Sequence, residues 1–236
     1  MSPKLSVVIP VYNERATIEE LLRRVQASPL EKEIVIVDDG STDGAREWLH
    51  NLQRGTPFGI RIGNLRIFFQ PHNQGKGAAL RRGFQEAMGA IVLVQDADLE
   101  YDPADYATPL APIQQGHADV VYGSRFLGGP HRVLFFWHSV GNAFLTLLSN
   151  PLTNVNLTDV WTCYKAFKKE VLAGITLKEN RFGFEPEITA KVAKGRWCMY
   201  EVPVSYYGRT YAEGKQITWK DGIHALWCIP RYRFGD

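Results

Sequence analysis

Short apolar runs alternate with amphipathic segments along the first half of the chain. Five runs have the length and β-branched content of buried strands, and they span residues 5–11, 33–37, 65–70, 90–95 and 118–123. Between them, apolar residues recur with helical spacing, as at Ile18, Leu21, Leu22 and Val25. Strands that alternate with helices over short connections predict βαβ units. We therefore expect an α/β fold with a mostly parallel sheet and helices on both faces.

The second half of the chain has a different pattern. Residues 132–149 place an apolar stripe on one helical face, and its members are Val133, Trp137, Val140, Phe144, Leu147 and Leu148. The pattern predicts a strand at 160–167, a helix at 186–194 and a strand at 199–206. A last amphipathic helix carries Trp219, Ile223, Leu226 and Trp227. The two stripes fit helices that lie in a membrane interface, and they also fit helices that pack on the sheet or on a second subunit.

Composition narrows the class of protein. The chain has 236 residues, of which 45% are hydrophobic, and 27 basic residues stand against 25 acidic ones. That balance is typical of a globular protein and shows no electrostatic sign of nucleic-acid binding. No apolar run approaches the ~20 residues of a transmembrane helix, and the N-terminus lacks the pattern of a signal peptide. We expect one domain in the cytoplasm, with Cys163, Cys198 and Cys228 as reduced thiols.

Polar side chains cluster where the predicted strands end. The clearest cluster is Asp96, Asp98 and Glu100, directly after the fourth strand. Ligands of α/β sheets bind beyond the carboxyl ends of the strands, and Mg²⁺ or Mn²⁺ prefers oxygen ligands such as carboxylates. Aspartates at this spacing also occur in solvated acidic turns, so the cluster alone leaves both interpretations open.

Two further segments at the same edge carry candidate ligand contacts. Asp38 and Asp39 follow the second strand, and Ser41 or Thr42 can cap the next helix. Capping accounts for one of the aspartates and leaves the other for a base or a ribose. Residues 73–77 (Asn-Gln-Gly-Lys-Gly) lack the spacing of a Walker phosphate loop. A glycine-flanked helix N-terminus can nevertheless bind an anion or the edge of a ring.

Taken in order, four segments resemble the family-two glycosyltransferases, which have the GT-A fold. They are residues 8–14 (VIPVYNE), 35–43 (VIVDDGSTD), 73–77 (NQGKG) and 96–98 (DAD). The resemblance spans essentially the whole chain. Within the family, the chain is most similar to the polyprenyl-phosphate branch, of the dolichol-phosphate mannose synthase type, at residues 123–125, 159–165 and 209–215.

The chain departs from this branch at two places. Residues 162–165 read Thr-Cys-Tyr-Lys, whereas relatives often carry a Ser-Gly-Phe-Arg type of segment with glycine at the position of Cys163. Relatives that use mannose also place a basic residue in the helix after Gly-Ser-Arg, and both Arg132 and His138 are candidates for it here. The identity of the donor sugar therefore stays open.

The resemblance implies a role for each matching residue. The nucleotide sugar would be bound by Pro10, Tyr12, Glu14, Asp39, Gly75, Lys76, Gly77 and Asp96. The metal ion, Mg²⁺ or Mn²⁺, would be held by Asp96, Asp98 and Glu100. The acceptor phosphate would be bound by Arg125, Arg209 and Lys215, and the catalytic residues would be Asp98, Arg125, Asp159 and Lys215. In the single domain 1–236, residues 1–126 would form the nucleotide-sugar-binding half, and 127–236 the acceptor-binding half with its amphipathic helices.

These roles predict a metal-dependent, inverting transfer of a hexose from a UDP- or GDP-sugar to a polyprenyl phosphate. The enzyme would be peripheral at the cytosolic, inner face of the membrane, with a homo-oligomer as an option and no nucleic-acid partner. A phosphate monoester is already an oxyanion at neutral pH and needs no general base, whereas a saccharide hydroxyl does. One alternative is therefore an enzyme with a saccharide hydroxyl acceptor and Asp159 as general base. A non-catalytic sugar-nucleotide-binding or scaffold module is a second alternative.

Overall fold

The structure, a computed structural model, describes residues 4–55, 60, 63–133, 135–210, 213 and 219–235. The strands within these residues are β1 (Leu5–Val11), β2 (Lys32–Asp38), β3 (Leu65–Phe69), β4 (Ile91–Val94), β5 (Val120–Ser124), β6 (Lys165–Lys168) and β7 (Met199–Pro203). The helices are α1 (Ile18–Ala27), α2 (Ala45–Gln53), α3 (Lys76–Glu86), α4 (Ala107–Gln114), α5 (Phe136–Thr153), α6 (Lys169–Ala173), α7 (Phe184–Lys194) and α8 (Trp219–Phe234). A short 3₁₀ helix, Pro103–Tyr106, leads into α4.

The described strands form one sheet in the order β3-β2-β1-β4-β6-β5-β7. β1 pairs in parallel with β2 and β4, β2 with β3, and β5 with β7. β6 runs antiparallel between β4 and β5. Because β6 and β7 come from the second half of the chain, this sheet joins both halves. The predicted mostly parallel sheet is confirmed.

The sheet is buried on both faces, as the continuous apolar runs predict. Along β1, Val7 and Ile9 contribute to the hydrophobic cluster that includes α1, α2 and α4, whereas Val8 contributes to the cluster that includes α3 and α7. Alternate side chains of a strand point to opposite faces, which assigns the two clusters to the two faces. The carboxyl ends of the central parallel strands therefore remain the open edge on which a site can form.

Several boundaries in the second half differ from the prediction. The predicted strand at 160–167 is a strand only over Lys165–Lys168, and the one at 199–206 ends at Pro203. The helix predicted at 132–149 begins at Phe136 and continues to Thr153, so Val133 precedes it. In the first half, the sequence pattern did not predict α4, since Pro109 and Pro112 lie within it and weaken the helical signal.

The predicted cap of α2 is wrong. The residue that precedes the helix is Gly44, with φ of +93°, and the first helical amide, that of Ala45, donates to Asp43 Oδ1 at 3.0 Å rather than to Ser41 or Thr42. Ser41 Oγ instead accepts from the Asn13 amide at 3.0 Å, and the Thr42 amide donates to Asn13 Oδ1 at 2.8 Å. These bonds tie the loop after β1 to the loop after β2, which are the two loops predicted to bind the nucleoside.

The second half presents apolar side chains to solvent. On α5, Phe136, Trp137 and Leu147 are 69%, 77% and 68% exposed. Trp227 on α8 is also exposed, while the side chains of Trp219 and Ile223 lie outside the described part of the chain. Among the described residues, the structure contains no helix with the length and apolar character needed to cross a membrane.

Candidate active site

A cavity of about 230 Å³ opens at the carboxyl ends of the central parallel strands. Seven of the eight residues predicted to bind the nucleotide sugar line it, and they are Pro10, Tyr12, Glu14, Asp39, Gly75, Lys76 and Asp96. The eighth, Gly77, does not line it. Asp98, Glu100, Arg125 and Arg209 line it as well. The structure therefore brings the four separate sequence segments to one place.

Three carboxylates converge after β4. The loop that carries Asp96, Asp98 and Glu100 turns at Leu99, whose φ of +63° lies in the left-handed region that bulky side chains rarely adopt. Burial, together with the nearby charges of Asp96 and Glu100, raises the pKa of Asp98 to about 8. Crowded carboxylates of this kind are stabilised by a divalent cation with oxygen ligands. The donor set therefore fits Mg²⁺ or Mn²⁺.

Arg209 lies among these carboxylates. Its Nη2 is 2.9 Å from Glu14 Oε1 and 3.2 Å from Asp98 Oδ2, and its amide donates to Glu100 Oε1 at 2.8 Å. Its Nε is buried and makes no hydrogen bond within the described residues. Arg209 was predicted to bind the acceptor phosphate. In the structure it lies beside Asp98 and Glu100, which were predicted to hold the metal ion. A divalent ion would share the Asp98 and Glu100 oxygens with Arg209.

Asp39 closes the loop before α3. Its two carboxylate oxygens accept from the amides of Gln74 at 2.8 Å and Gly75 at 2.7 Å. Burial raises the pKa of Asp39, and these two amides act in the opposite direction. Asp39 therefore fixes the 73–77 loop at the cavity wall, in addition to facing the cavity.

The glycines of the 73–77 loop have a packing role that spacing did not reveal. A Cβ on Gly75, whose φ is +101°, would lie 2.3 Å from the carbonyl oxygen of Asn180. A Cβ on Gly77 would lie 2.4 Å from the carbonyl oxygen of Glu179. The segment 179–181 can approach α3 because both side chains are absent. Gly77 consequently packs behind the cavity wall.

Lys76 is partly buried in a chain of alternating charges. Its Nζ is 2.9 Å from Asp96 Oδ1, 2.8 Å from Cys163 Sγ and 3.8 Å from Glu185 Oε1. Glu185 also pairs with the buried Lys165. Burial disfavours the ammonium charge of Lys76. Asp96, Cys163 and Glu185 act in the opposite direction and raise the pKa of Lys76 well above its usual value. Lys76 was predicted to bind the nucleotide sugar; in the structure its ammonium group lines the cavity and pairs with Asp96.

Arg125, which is partly buried, pairs with the fully buried Asp159. The Asp159 carboxylate accepts from Arg125 Nε at 2.6 Å and from Nη2 at 2.8 Å, and Nη2 also donates to Asn142 Oδ1 of α5 at 3.1 Å. Asp159 has no exposed area, and it lies behind Arg125. The structure therefore places Arg125 at the cavity and Asp159 as the group that holds it. Lys215, the remaining predicted catalytic residue, lies outside the described residues.

A second, mostly apolar cavity of about 530 Å³ adjoins the first. The two share a wall made of Lys76, Arg125, Trp161, Cys163, Phe182 and Tyr206. The apolar lining of the second cavity is Phe126, Val133, Phe135, Phe136 and Leu145. Arg132 and His138, the two candidates for the basic residue of the mannose-using relatives, also line it. Both cavities therefore meet at the two partly buried cations Lys76 and Arg125.

Sequence reasoning missed several residues of the shared wall. Trp161 was placed in the predicted strand 160–167, and Phe182 lies in a segment without regular periodicity. Arg181, which lines only the first cavity, belongs to a charged run that is typical of a surface loop. Tyr206 was placed in a strand, but it follows β7 and donates to Glu100 Oε2 at 2.8 Å. The sequence feature that could have pointed to the segment 179–182 is the pair of glycines in the 73–77 loop, because glycines can mark a close approach of another segment.

The comparison with protein families identifies the chain. Residues 6–176 match glycosyl transferase family 2. The chain belongs to this family. The match covers the carboxylate loop after β4, the 73–77 loop and the Arg125–Asp159 pair, so the predicted membership is confirmed.

Named relatives of this family 2 chain act on polyprenyl phosphates, according to their names. The chain is 32% identical over 219 residues to the dolichol-phosphate mannosyltransferase of Pyrococcus furiosus, which covers 90% of this chain and 59% of the relative. It is 30% identical over 217 residues to the undecaprenyl-phosphate 4-deoxy-4-formamido-L-arabinose transferase of Pseudomonas savastanoi pv. phaseolicola, which covers 89% of this chain and 60% of the relative. The chain thus spans about three fifths of the length of these curated relatives.

Solved structures show the same fold. Glucosyl-3-phosphoglycerate synthase from Mycobacterium tuberculosis, in complex with Mn²⁺, UDP and glucosyl-3-phosphoglycerate, matches with a TM-score of 0.73 and 20% identity, over 99% of this chain and 80% of that one. The complex of the same enzyme with Mg²⁺ and UDP matches with a TM-score of 0.71 and 19% identity, over 99% and 80% of the two chains. At this identity the likeness shows the fold, and the predicted GT-A-like α/β fold is confirmed.

Proposed function

We propose that this family 2 glycosyltransferase moves a hexose from a UDP- or GDP-sugar to a polyprenyl phosphate, with inversion and with a divalent metal ion. One observation carries the proposal. The carboxylate-rich cavity and the apolar cavity share a wall that contains Lys76 and Arg125. A charged donor and a lipid-linked phosphate can therefore meet beside two partly buried cations.

The donor would occupy the carboxylate-rich cavity. Pro10, Tyr12 and Asp39 line the side that is formed by the loops after β1 and β2, which suits a nucleoside. Asp96, Asp98 and Glu100 would hold Mg²⁺ or Mn²⁺ beside the diphosphate. When bound, such an ion offsets the negative charge that grows on a departing diphosphate. The Mycobacterium tuberculosis enzyme of the same fold was solved with Mn²⁺ and UDP, which supports this choice of metal and nucleotide.

The acceptor phosphate would lie against Arg125. Asp159 and Asn142 engage Nε and Nη2 of its guanidinium and so fix its plane, which leaves Nη1 for the phosphate. An acceptor oxygen would attack the anomeric carbon as the bond from that carbon to the donor diphosphate breaks. The diphosphate leaves with the electron pair, and the configuration inverts. No proton transfer is needed, because the acceptor is already ionised.

The polyprenyl chain would extend into the apolar cavity. Phe126, Phe135 and Leu145 line it, and the exposed apolar face of α5 continues from it to the surface. That face suits a peripheral contact with the inner membrane surface, where a lipid phosphate is presented. The names of the Pyrococcus furiosus and Pseudomonas savastanoi relatives, both of which specify a polyprenyl phosphate, support the same acceptor.

The saccharide-hydroxyl alternative is less well supported. It needs Asp159 as a general base, which must reach the proton that it accepts. Both Asp159 oxygens are engaged by Arg125, and the carboxylate is fully buried behind it. In the proposed reaction Asp159 is a positioning residue that acts through Arg125.

The test is a transfer assay with the full chain. Purified protein, Mn²⁺ or Mg²⁺ and undecaprenyl phosphate are incubated with a panel of UDP- and GDP-sugars, and lipid-linked sugar is measured. We expect product from one donor class and its loss with a chelator. Asp98→Asn should lower kcat by roughly 100-fold or more, because it removes charge stabilisation at the leaving group.

The matched control is Asp102→Asn, in the same loop. Asp102 accepts from the Ala104 amide at the start of the 3₁₀ helix and does not line the cavity, and asparagine can make the same cap. Its activity should stay within about twofold of the wild type. Absence of lipid-linked product with every donor would contradict the proposed acceptor. Product on a free saccharide, lost in Asp159→Asn with donor binding intact, would favour the alternative enzyme.

A further inference from the structure

Three potential metal ligands converge away from the active-site cavity, where α8 packs on the segment before α7. His224 and Cys228 are four residues apart on α8 and therefore share one helical face. Glu179 reaches them from the segment 175–183. Glu179 Oε2 is 2.9 Å from His224 Nε2, Cys228 Sγ is 3.4 Å from the same nitrogen, and all three ligand atoms lie within 4.8 Å of one another.

The arrangement does not suit a nucleophile with a general base. In such a triad the acid binds one ring nitrogen of histidine and the nucleophile binds the other. Here the Glu179 carboxylate and the Cys228 thiol both approach Nε2. A carboxylate oxygen, an imidazole nitrogen and a sulfur that face one point are the usual ligand types of zinc.

The separations also suit zinc. In a tetrahedral site with ligand bonds of about 2.0–2.3 Å, neighbouring ligand atoms lie roughly 3.3–3.7 Å apart. The 3.4 Å between Cys228 Sγ and His224 Nε2 lies in this range, the 2.9 Å between Glu179 Oε2 and His224 Nε2 lies below it, and the third separation is within 4.8 Å. We propose that Glu179, His224 and Cys228 form a zinc site with an open fourth position. On binding, Cys228 would lose its thiol proton to solvent, since the thiolate is the ligand.

The surroundings of the cluster support a built site. Tyr232 donates to Glu179 Oε1 at 2.7 Å, which orients Oε2 toward His224, as outer hydrogen bonds orient metal ligands. A Cβ on Gly183 would lie 2.6 Å from Glu179 Oε2 and 2.9 Å from Cys228 Sγ, so the glycine keeps this space clear. Cys228 is buried, while His224 is 47% exposed and offers a path from solvent. Arg231 Nη1 lies 3.9 Å from Glu179 Oε1.

The site would connect α8 to the wall of the active-site cavity. Glu179 belongs to the segment whose carbonyls lie against Gly75 and Gly77, and its own carbonyl accepts from Arg81 Nη1 at 3.3 Å. Arg181 and Phe182, which follow directly, line the cavity. Zinc at Glu179 would therefore clamp α8 to the segment that holds the 73–77 loop. The inference concerns an ion outside the active-site cavity and does not depend on the proposed reaction.

The test is Zn²⁺ binding to the full chain in the Asp98→Asn background with excess Mg²⁺, so that the carboxylate loop does not take up zinc. After dialysis against a chelator, Zn²⁺ is titrated in competition with a chromophoric chelator. We expect one Zn²⁺ per chain, and an affinity at least about tenfold weaker in His224→Ala and in Cys228→Ser. Cys198→Ser, at an exposed thiol, is the matched control and should bind as the parent does.

Two further readouts remain decisive even if one variant folds poorly. Co²⁺ should give a thiolate-to-metal charge-transfer band in the parent that is absent in Cys228→Ser. Zn²⁺ should raise the Tm of the parent, and it should not raise that of His224→Ala, because a ligand that binds only the folded state stabilises it. The proposal is overturned by a parent chain that does not bind Zn²⁺, or by binding that neither substitution weakens.

Discussion

Helices α1 and α5 carry apolar stripes of the same helical spacing and use them in opposite ways. On α1, Leu21 and Leu22 have no exposed area, and the outer face carries charged pairs such as Glu19 with Arg23. On α5, Trp137 and Leu147 are mostly exposed. Residues 136–153 contain no Asp, Glu, Lys or Arg. The comparison shows that periodicity identifies an apolar face without identifying what covers it.

The inner face of α5 explains the difference. Its buried residues are Thr146, Ser149 and Thr153, which pack through small hydroxyl side chains. Thr146 Oγ1 accepts from the Val160 amide at 3.4 Å, and Thr153 Oγ1 donates to the Ser149 carbonyl at 2.7 Å. The helix is therefore attached to the domain by its polar face. Its apolar face is an exposed patch of the kind that marks a contact with protein or lipid.

The largest expected effect is on stability, at α1. Leu21→Ala should lower the free energy of unfolding by about 2–5 kcal/mol, because it leaves a cavity in a closed core. Denaturant unfolding followed by circular dichroism measures it. Arg23→Ala on the exposed face is the control and should cost about 0.5 kcal/mol or less. Similar losses for the two variants would break the contrast between the faces of α1.

The next effect is on membrane binding, at α5. Trp137→Ala should leave the unfolding free energy within about 0.5 kcal/mol of the wild type, because the side chain is exposed. Its affinity for anionic lipid vesicles should fall roughly tenfold, since burying a large apolar side chain contributes about 1.5–3 kcal/mol. Vesicle sedimentation measures this affinity.

Met88→Ala is the control for α5. Met88 is an exposed apolar side chain just beyond α3, in the first half of the chain. Its removal should leave vesicle binding unchanged. Equal affinities for Met88→Ala and Trp137→Ala would mean that lipid is not what covers α5, and a concentration-dependent change in mass would then indicate a second copy.

The smallest effect concerns the polar face of α5. Thr146→Val removes the acceptor of the Val160 amide and should cost about 1 kcal/mol of unfolding free energy, because that amide is buried. Ser149→Ala removes a buried hydroxyl that makes no hydrogen bond within the described residues, and it should be neutral or slightly stabilising. Denaturant melts of both variants check the contrast. A larger loss for Ser149→Ala than for Thr146→Val would contradict this account of the polar face.

In the first half, the central strands and the carboxylates that follow them were predictable because their signals are local. The run Leu5–Val11 is β1 with the predicted bounds, and Asp96, Asp98 and Glu100 follow β4 into the cavity as expected. In the second half, Asp159 matched a family segment, but the sequence could not show that Arg125 engages both its oxygens. A contact between side chains of distant segments produces no periodic pattern in the sequence.

By itself, the sequence determined the α/β class, the mostly parallel sheet, the family and the edge of the sheet on which the polar residues meet. These follow from hydrophobic period and from motifs that lie at strand ends, which are properties of neighbouring residues. The tertiary structure alone decided that Arg209 pairs with Asp98, one of the carboxylates predicted to hold the metal ion. It also decided that Lys76 pairs with Asp96 and that the apolar face of α5 is exposed. Each depends on contacts between residues far apart in the chain, which only packing brings together.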